Sequence, residues 1–253
     1  MDAIVAWDAE TPQWPEVLAV SSGESLSERL SKTALWRIYG PLAAARQAGR
    51  GLIIGQIGQS LDGRIATATG HSHYINGPAA IIHLHRLRAL VDAVVVGVGT
   101  AVADDPRLTV RGIEGPSPAR VIIDPNGRMA AQSKCLADDG VRRIVLCRKA
   151  PQPSAGIEYA ALDDFSPRAL AAALAARGLH RLLVEGGAMT LSAFLGEGML
   201  DRLHVMTAPL IIGSGKNGIT LPEIATLKDA LRPATATYLL PGGDVLTDCD
   251  FRG

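Results

Sequence analysis

Aromatic residues make up only 4% of the 253-residue chain, cysteines number three, and charge of either sign cancels, with 25 Lys and Arg against 25 Asp and Glu. Each scarcity excludes something. A balanced charge leaves no electrostatic footprint for nucleic acid or for an acidic membrane surface, so any phosphate site must be local. Cys135, Cys147 and Cys249 are odd in number and form no C-x-x-C pair. That argues against a disulfide framework and fits a reducing, cytosolic setting. No apolar run approaches the roughly 18 residues of a membrane span. The N-terminus carries Asp2, Asp8, Glu10 and Glu16 without a basic stretch ahead of an apolar one, so no signal peptide is expected.

What is present is a hydrophobic content of 47%, enough for one substantial core. Residues 1–50 read differently from the rest and hold all the tryptophans, Trp7, Trp14 and Trp36. The pattern predicts a helix over 25–37, continuing over 42–48 after Pro41. We take residues 1–50 as an extension that packs on the main domain or on a second subunit, and residues 51–253 as that domain. From Leu52 strands and helices alternate. Strands are predicted at 52–58, 93–98, 120–124, 143–147, 182–185 and 203–212, and a final hairpin turns through Gly242-Gly243. Asn76-Gly77-Pro78 starts a helix, Ser166-Pro167 caps another that ends at Gly178, and Met189 to Leu195 is a third. Alternation of this kind implies an α/β fold with a mostly parallel sheet and antiparallel pairing at the C-terminal edge.

Four segments hold more glycine and polar side chains than packing requires. Gln59 to Arg64 follows a strand and contains the turn dipeptide Asp62-Gly63, which reads most simply as a hairpin turn. Val96-Gly97-Val98-Gly99-Thr100 joins a buried strand to a helix whose free N–H groups suit a phosphate, although it is not G-x-G-x-x-G. Val184-Glu185-Gly186-Gly187-Ala188 has the same strand–turn–helix form. Its Glu185 needs either a ligand or a salt bridge if buried. Ala103 to Arg111 carries Asp104, Asp105, Arg107 and Arg111, as either an exposed ion-paired loop or a phosphate site. His83 and His85, two apart on a predicted helix, point to different faces, so no metal site is expected.

Taken in order, Q-S-L-D-G-R-I-A, G-H-S-H-Y-I-N, H-R-L-R, V-V-G-V-G-T-A-V-A-D-D-P-R-L-T-V-R, R-V-I-I-D, L-V-E-G-G and A-P-L-I-I-G resemble the reductase domain of the riboflavin-biosynthesis deaminase-reductase. The resemblance runs from about Leu52 to Gly215. It implies a dihydrofolate-reductase-like fold, a homodimer, NADPH as cofactor, and hydride transfer to the sugar C1′ of a phosphorylated 5-amino-6-(phosphoribosylamino)pyrimidine. By motif, Ser72, Arg88, Leu108, Arg111 and Glu185 fall on substrate positions. Gly58, Tyr74, Thr100, Asp104, Gly187 and Ala188 fall on cofactor positions, to which the glycine turns add Gly97, Gly99 and Gly186. Arg88 and Arg111 are the expected phosphate clamp, Asp124 to Arg128 the adenosine-side loop, and Asp104 and Glu185 the candidate catalytic carboxylates. Two departures stand out. Gln56 occupies a position where many members of that family carry Lys, and the deaminase signature H-x-E…P-C-x-x-C is absent. Reduction of another heterocycle such as a dihydropterin, or cofactor binding without turnover, are the alternatives.

Overall fold

Strands buried on both faces need apolar residues at nearly every position, and this sequence supplies them. The computed structural model describes residues 5–6, 12–152 and 156–252; Trp7 lies outside them. In chain order the elements are β1 (Val5–Ala6), α1 (Trp14–Ser21), α2 (Glu28–Ser31), α3 (Ala34–Gln47), β2 (Leu52–Ser60), β3 (Arg64–Thr67), α4 (Pro78–Leu90), β4 (Ala93–Gly97) and α5 (Val98–Asp104). There follow β5 (Ala119–Ile123), β6 (Arg143–Cys147), β7 (Ile157–Ala161), α6 (Pro167–Ala175), β8 (Arg181–Glu185), α7 (Ala188–Gly196), β9 (Arg202–Ala208), β10 (Gly215–Asn217), β11 (Ala234–Leu239) and β12 (Val245–Asp250).

Among the described residues ten strands form one sheet in the order β1-β11-β12-β9-β2-β8-β4-β5-β6-β7. Every pairing from β9 to β7 is parallel, and β12 runs antiparallel to both β9 and β11. This is the mixed, mostly parallel sheet with an antiparallel C-terminal edge that the sequence implies. Alternate strand residues divide the core. Ile54, Leu183 and Met206 pack with α1, α3 and α4 on one face, whereas Val95, Val184 and Leu203 pack with α6 and α7 on the other. No helix among the described residues is long and apolar enough to cross a membrane. All three cysteines are buried and free.

Three local expectations are corrected. The helix predicted over 25–37 is split, because Ser27 caps α2 through Leu30 N–H and Thr33 caps α3 through Trp36 N–H, each at 3.1 Å. Pro41 lies inside α3 rather than ahead of a second helix. Residues 61–63 do turn, but β3 pairs antiparallel with β10, not with β2, and forms a separate two-stranded ribbon. Asp62 fixes that ribbon by accepting from the N–H groups of Ile212 and Gly213. The Ser60 hydroxyl and these backbone donors hold its carboxyl down at about 2.

The N-terminal helices share the sheet's core. Val17, Leu35, Ile38 and Leu42 are buried in the cluster that contains Leu87, Leu90 and Leu246. Trp14 Nε1 donates to the Glu114 carbonyl at 2.9 Å, and the Tyr39 hydroxyl meets His83 Nδ1 at 2.7 Å.

Candidate active site

Parallel strands end together, and the turns that leave their carboxyl ends open a crevice where a ligand can reach the backbone. Here β2, β8, β4 and β5 deliver Gly58, Gly186-Gly187, Gly97 to Thr100, and Pro125 to Arg128 to one side of the sheet. The crevice has two lobes. The larger, about 530 Å³, is walled by the turns after β4, β5 and β8, and the smaller, about 300 Å³, by the end of β2 and by α4. Ile65, Ser72, Asp104 and Gly187 line both, so the lobes meet there.

The glycines are required by close approach. A Cβ on Gly97 would lie 2.6 Å from Thr190 Oγ1, and one on Gly187 would lie 2.6 Å from Thr100 Oγ1. The two turns therefore interlock, each glycine receiving the other turn's threonine. Gly187 also has φ +64°, a conformation glycine adopts without strain. Above this floor the β3–β10 ribbon contributes Ile65, Ala66 and Lys216 to the larger lobe. Lys216 and Arg128 line that lobe, and neither side chain makes an ion pair with a described residue. A cradle of glycine turns, the N-terminus of α7 and two free cations fits a dinucleotide with its phosphates.

In the smaller lobe a Cβ on Gly58 would lie 2.1 Å from Asn76 Oδ1, so β2 and the start of α4 touch. Asp244, from the turn between β11 and β12, holds that start. It accepts from Asn76 Nδ2 at 3.1 Å and from Gly77 N–H at 2.7 Å.

Residues 52–237 match the RibD C-terminal domain. The chain belongs to that family. It is 32% identical over 217 residues to the 2,5-diamino-6-ribosylamino-4(3H)-pyrimidinone 5′-phosphate reductase of Methanothermobacter thermautotrophicus, covering 81% of this chain and all of that one. It is 36% identical over 163 residues to the riboflavin biosynthesis protein RibD of Aquifex aeolicus, covering 62% of this chain but only 46% of that protein. The solved structure of Acinetobacter baumannii RibD superposes with a TM-score of 0.70 at 26% identity, covering 85% of this chain and 62% of that one.

Within this RibD C-terminal domain the crevice gathers Gly58, Ser72, Tyr74, Gly97, Gly99, Thr100, Asp104, Arg128, Gly186, Gly187 and Ala188. Other residues expected at the site stand elsewhere. Leu108 is buried among Val96, Val98 and Ile122, so its side chain faces a core and not a ligand. Asp124 is buried and accepts from the N–H groups of Arg128 and Met129, each at 2.9 Å. Its role is to shape the loop that presents Arg128.

Arg88 and Glu185, both expected on the substrate side, are paired with each other. Arg88 Nε and Nη2 donate to the two oxygens of Glu185 at 2.7 and 2.6 Å, and Nη1 donates to the Thr109 carbonyl at 3.0 Å. The salt bridge left open by the sequence is the one that forms. With Glu185 and the Thr109 carbonyl on its guanidinium, Arg88 stands as a paired residue, and Glu185 as a paired carboxylate. Arg111 is exposed; its side chain bonds to Thr109 within its own segment, and its backbone N–H donates to His85 Nδ1 at 3.3 Å. Partial burial, and then the cations of Arg88 and Arg107, hold its guanidinium below its usual range. That excess of positive charge suits an anion. The sequence reading passed over Lys216 and the pinning pair Asn76–Asp244, because each depends on strands far apart in the chain.

Proposed function

We propose that the protein is an NADPH-dependent reductase that delivers hydride to C1′ of a 5-amino-6-(5-phosphoribosylamino)pyrimidine in riboflavin biosynthesis. The observation that carries this reading is the two-lobed crevice, glycine-cradled and cationic on one side and side-chain-lined on the other. The name of the Methanothermobacter relative, which this chain matches along its whole length, agrees with the substrate class.

NADPH, when bound, supplies the hydride. The protein's part is to hold two reactants in line and to exclude water. Gly97, Gly99, Thr100, Gly186 and Gly187 form the cofactor's bed, with Lys216 and Arg128 toward its phosphates. The pyrimidine occupies the smaller lobe under α4. Arg111, with Arg107, carries the substrate phosphate in place of the Arg88 clamp. Asp104 and Ser72, where the lobes meet, flank the reacting carbon. No nucleophile is needed.

The test is NADPH oxidation measured with two substrates, 5-amino-6-(5-phosphoribosylamino)uracil and its 2-amino-4-oxo precursor. Turnover of at least one is expected, and failure on both sinks the reading. The resemblance also implies a homodimer; sedimentation at micromolar concentration checks this, with a monomer alone counting against it.

A further inference from the structure

Four polar side chains stand in one row across the sheet. Register pairs Asp248 of β12 with His204 of β9, His204 with Gln56 of β2, and Gln56 with Glu185 of β8. Register partners on adjacent strands present their side chains to the same face. Each member of the row is at most 9% exposed. Polar groups so far removed from water are nearly always hydrogen-bonded.

Three of the four have partners. Arg88 occupies both oxygens of Glu185. His204 meets His83 at 3.1 Å through Nδ1 and lies 3.2 Å from Asp248 through Nε2. Asp248 is also paired with Arg202. Gln56, between them, makes no side-chain hydrogen bond to a described residue, and it lines the smaller lobe together with Ala80 and Leu84 of α4. Helix α4 supplies polar partners to the row on either side of Gln56 and presents apolar side chains to the lobe it lines.

We infer that Gln56 is the side chain that reads the substrate's heterocycle, donating to a ring carbonyl and accepting from the adjacent ring N–H. This rests on the pyrimidine-reductase reading. An amide carries one acceptor oxygen and one donor nitrogen side by side. Its complement is a lactam edge, C=O next to N–H. The charges flanking Gln56 are already paired off, so the site asks for a neutral ring. The two candidate pyrimidines differ at ring position 2, a carbonyl in one and an amino group in the other. They share N3–H next to C4=O. On the other side of N3, the amino form would set one NH2 group against another. The N3–H/C4=O edge is the one on which this amide makes the same two bonds to both without turning over.

The experiment compares wild type with Gln56→Met, which keeps the length and removes both polar atoms, and with Gln56→Asn, which draws the amide back by one methylene. Steady-state kinetics are measured on both pyrimidines, and NADPH affinity by fluorescence titration. Gln56→Met is expected to raise KM on the order of 30-fold on both substrates alike, with NADPH affinity within about twofold of wild type. Gln56→Asn should fall between the two. An unchanged KM overturns the inference, as does a matching loss of NADPH affinity. A loss confined to one substrate also overturns it, because the contact would then be at position 2. If Gln56→Met does not fold, Gln56→Asn decides: a wild-type KM overturns the inference, a raised KM on both substrates supports it. Wild type inactive on both pyrimidines is a different failure, that of the reductase reading itself, and the inference goes with it.

Discussion

The larger lobe of the crevice is built around two interlocked strand–turn–helix connections, the smaller around side chains that converge from β2 and α4. In the larger lobe two strand–turn–helix connections meet glycine to threonine, and the wall is what the chain's path leaves exposed. In the smaller, Gln56, Asn76 and Leu84 converge from β2, the segment before α4 and α4 itself, beside an Arg88–Glu185 pair whose members lie 97 residues apart. The difference teaches where each half is vulnerable. A backbone cradle is sensitive to what is added at its glycines, whereas a side-chain wall is sensitive to what is removed.

The largest effect is expected at the side-chain wall. Arg88→Met leaves Glu185 buried without its partner, a loss that typically costs about 3–5 kcal/mol. Thermal or urea unfolding should show a drop of that order, and replacing both residues by apolar ones should restore much of it. Near-wild-type stability in Arg88→Met would mean that the pair is not a support of the lobe.

Next comes Arg111→Gln. Loss of a guanidinium's grip on the substrate phosphate should lower kcat/KM on the order of 100-fold, or about 2.7 kcal/mol, with NADPH affinity hardly changed. A dephosphorylated substrate should be poor for wild type and no worse for the variant. Equal losses on both substrates would place Arg111 in the scaffold and blur the division between the lobes.

The larger lobe is sharpened by cofactor choice. NADPH should bind at least about tenfold more tightly than NADH, roughly 1.4 kcal/mol, and Arg128→Ala should remove most of that preference without altering the pyrimidine KM. Equal affinities for the two cofactors in a titration of wild type would refute it.

The smallest effect is on pH dependence, and it belongs to the α4 face. Burial, and then the neighbouring His204 and Arg86, holds His83 well below the ordinary histidine range. Burial, with Arg88 and Arg111 nearby, brings His85 to about 4. Both are neutral in the fold. Their contribution is therefore complete above about pH 6.5, the unfolded value, and is lost as pH falls below it. For His85 the loss runs down to about 4. Melting temperature should fall steadily across that window, and His83→Gln should flatten part of the slope. A wild-type melting temperature that stays level across the window would contradict both assignments.

How much of this was written in the sequence follows the same division. Apolar runs such as Ala93 to Val96 mark strands buried on both faces, and Gly186-Gly187 marks a turn whose backbone must take positive φ, because these demands fall on consecutive residues. The motif order carried the family, and the glycine turns carried the larger lobe. Helix α1 escaped notice because a stretch as short as Trp14 to Ser21 shows little periodicity, and Thr33 broke a helix that propensity alone would run through. Sequence left Glu185 with two possible partners; only packing brought Arg88 to it. No local pattern marks β10 as the partner of β3, or brings Lys216 to the same lobe as Arg128. Nor does any motif say that Asp248, His204, Gln56 and Glu185 share one row, since strand order and register decide which residues from distant segments become neighbours. Sequence determined the backbone's turns, because their cause is local; tertiary structure alone decided which buried charges pair and which amide is left for a ligand, because partners are settled only when the sheet closes.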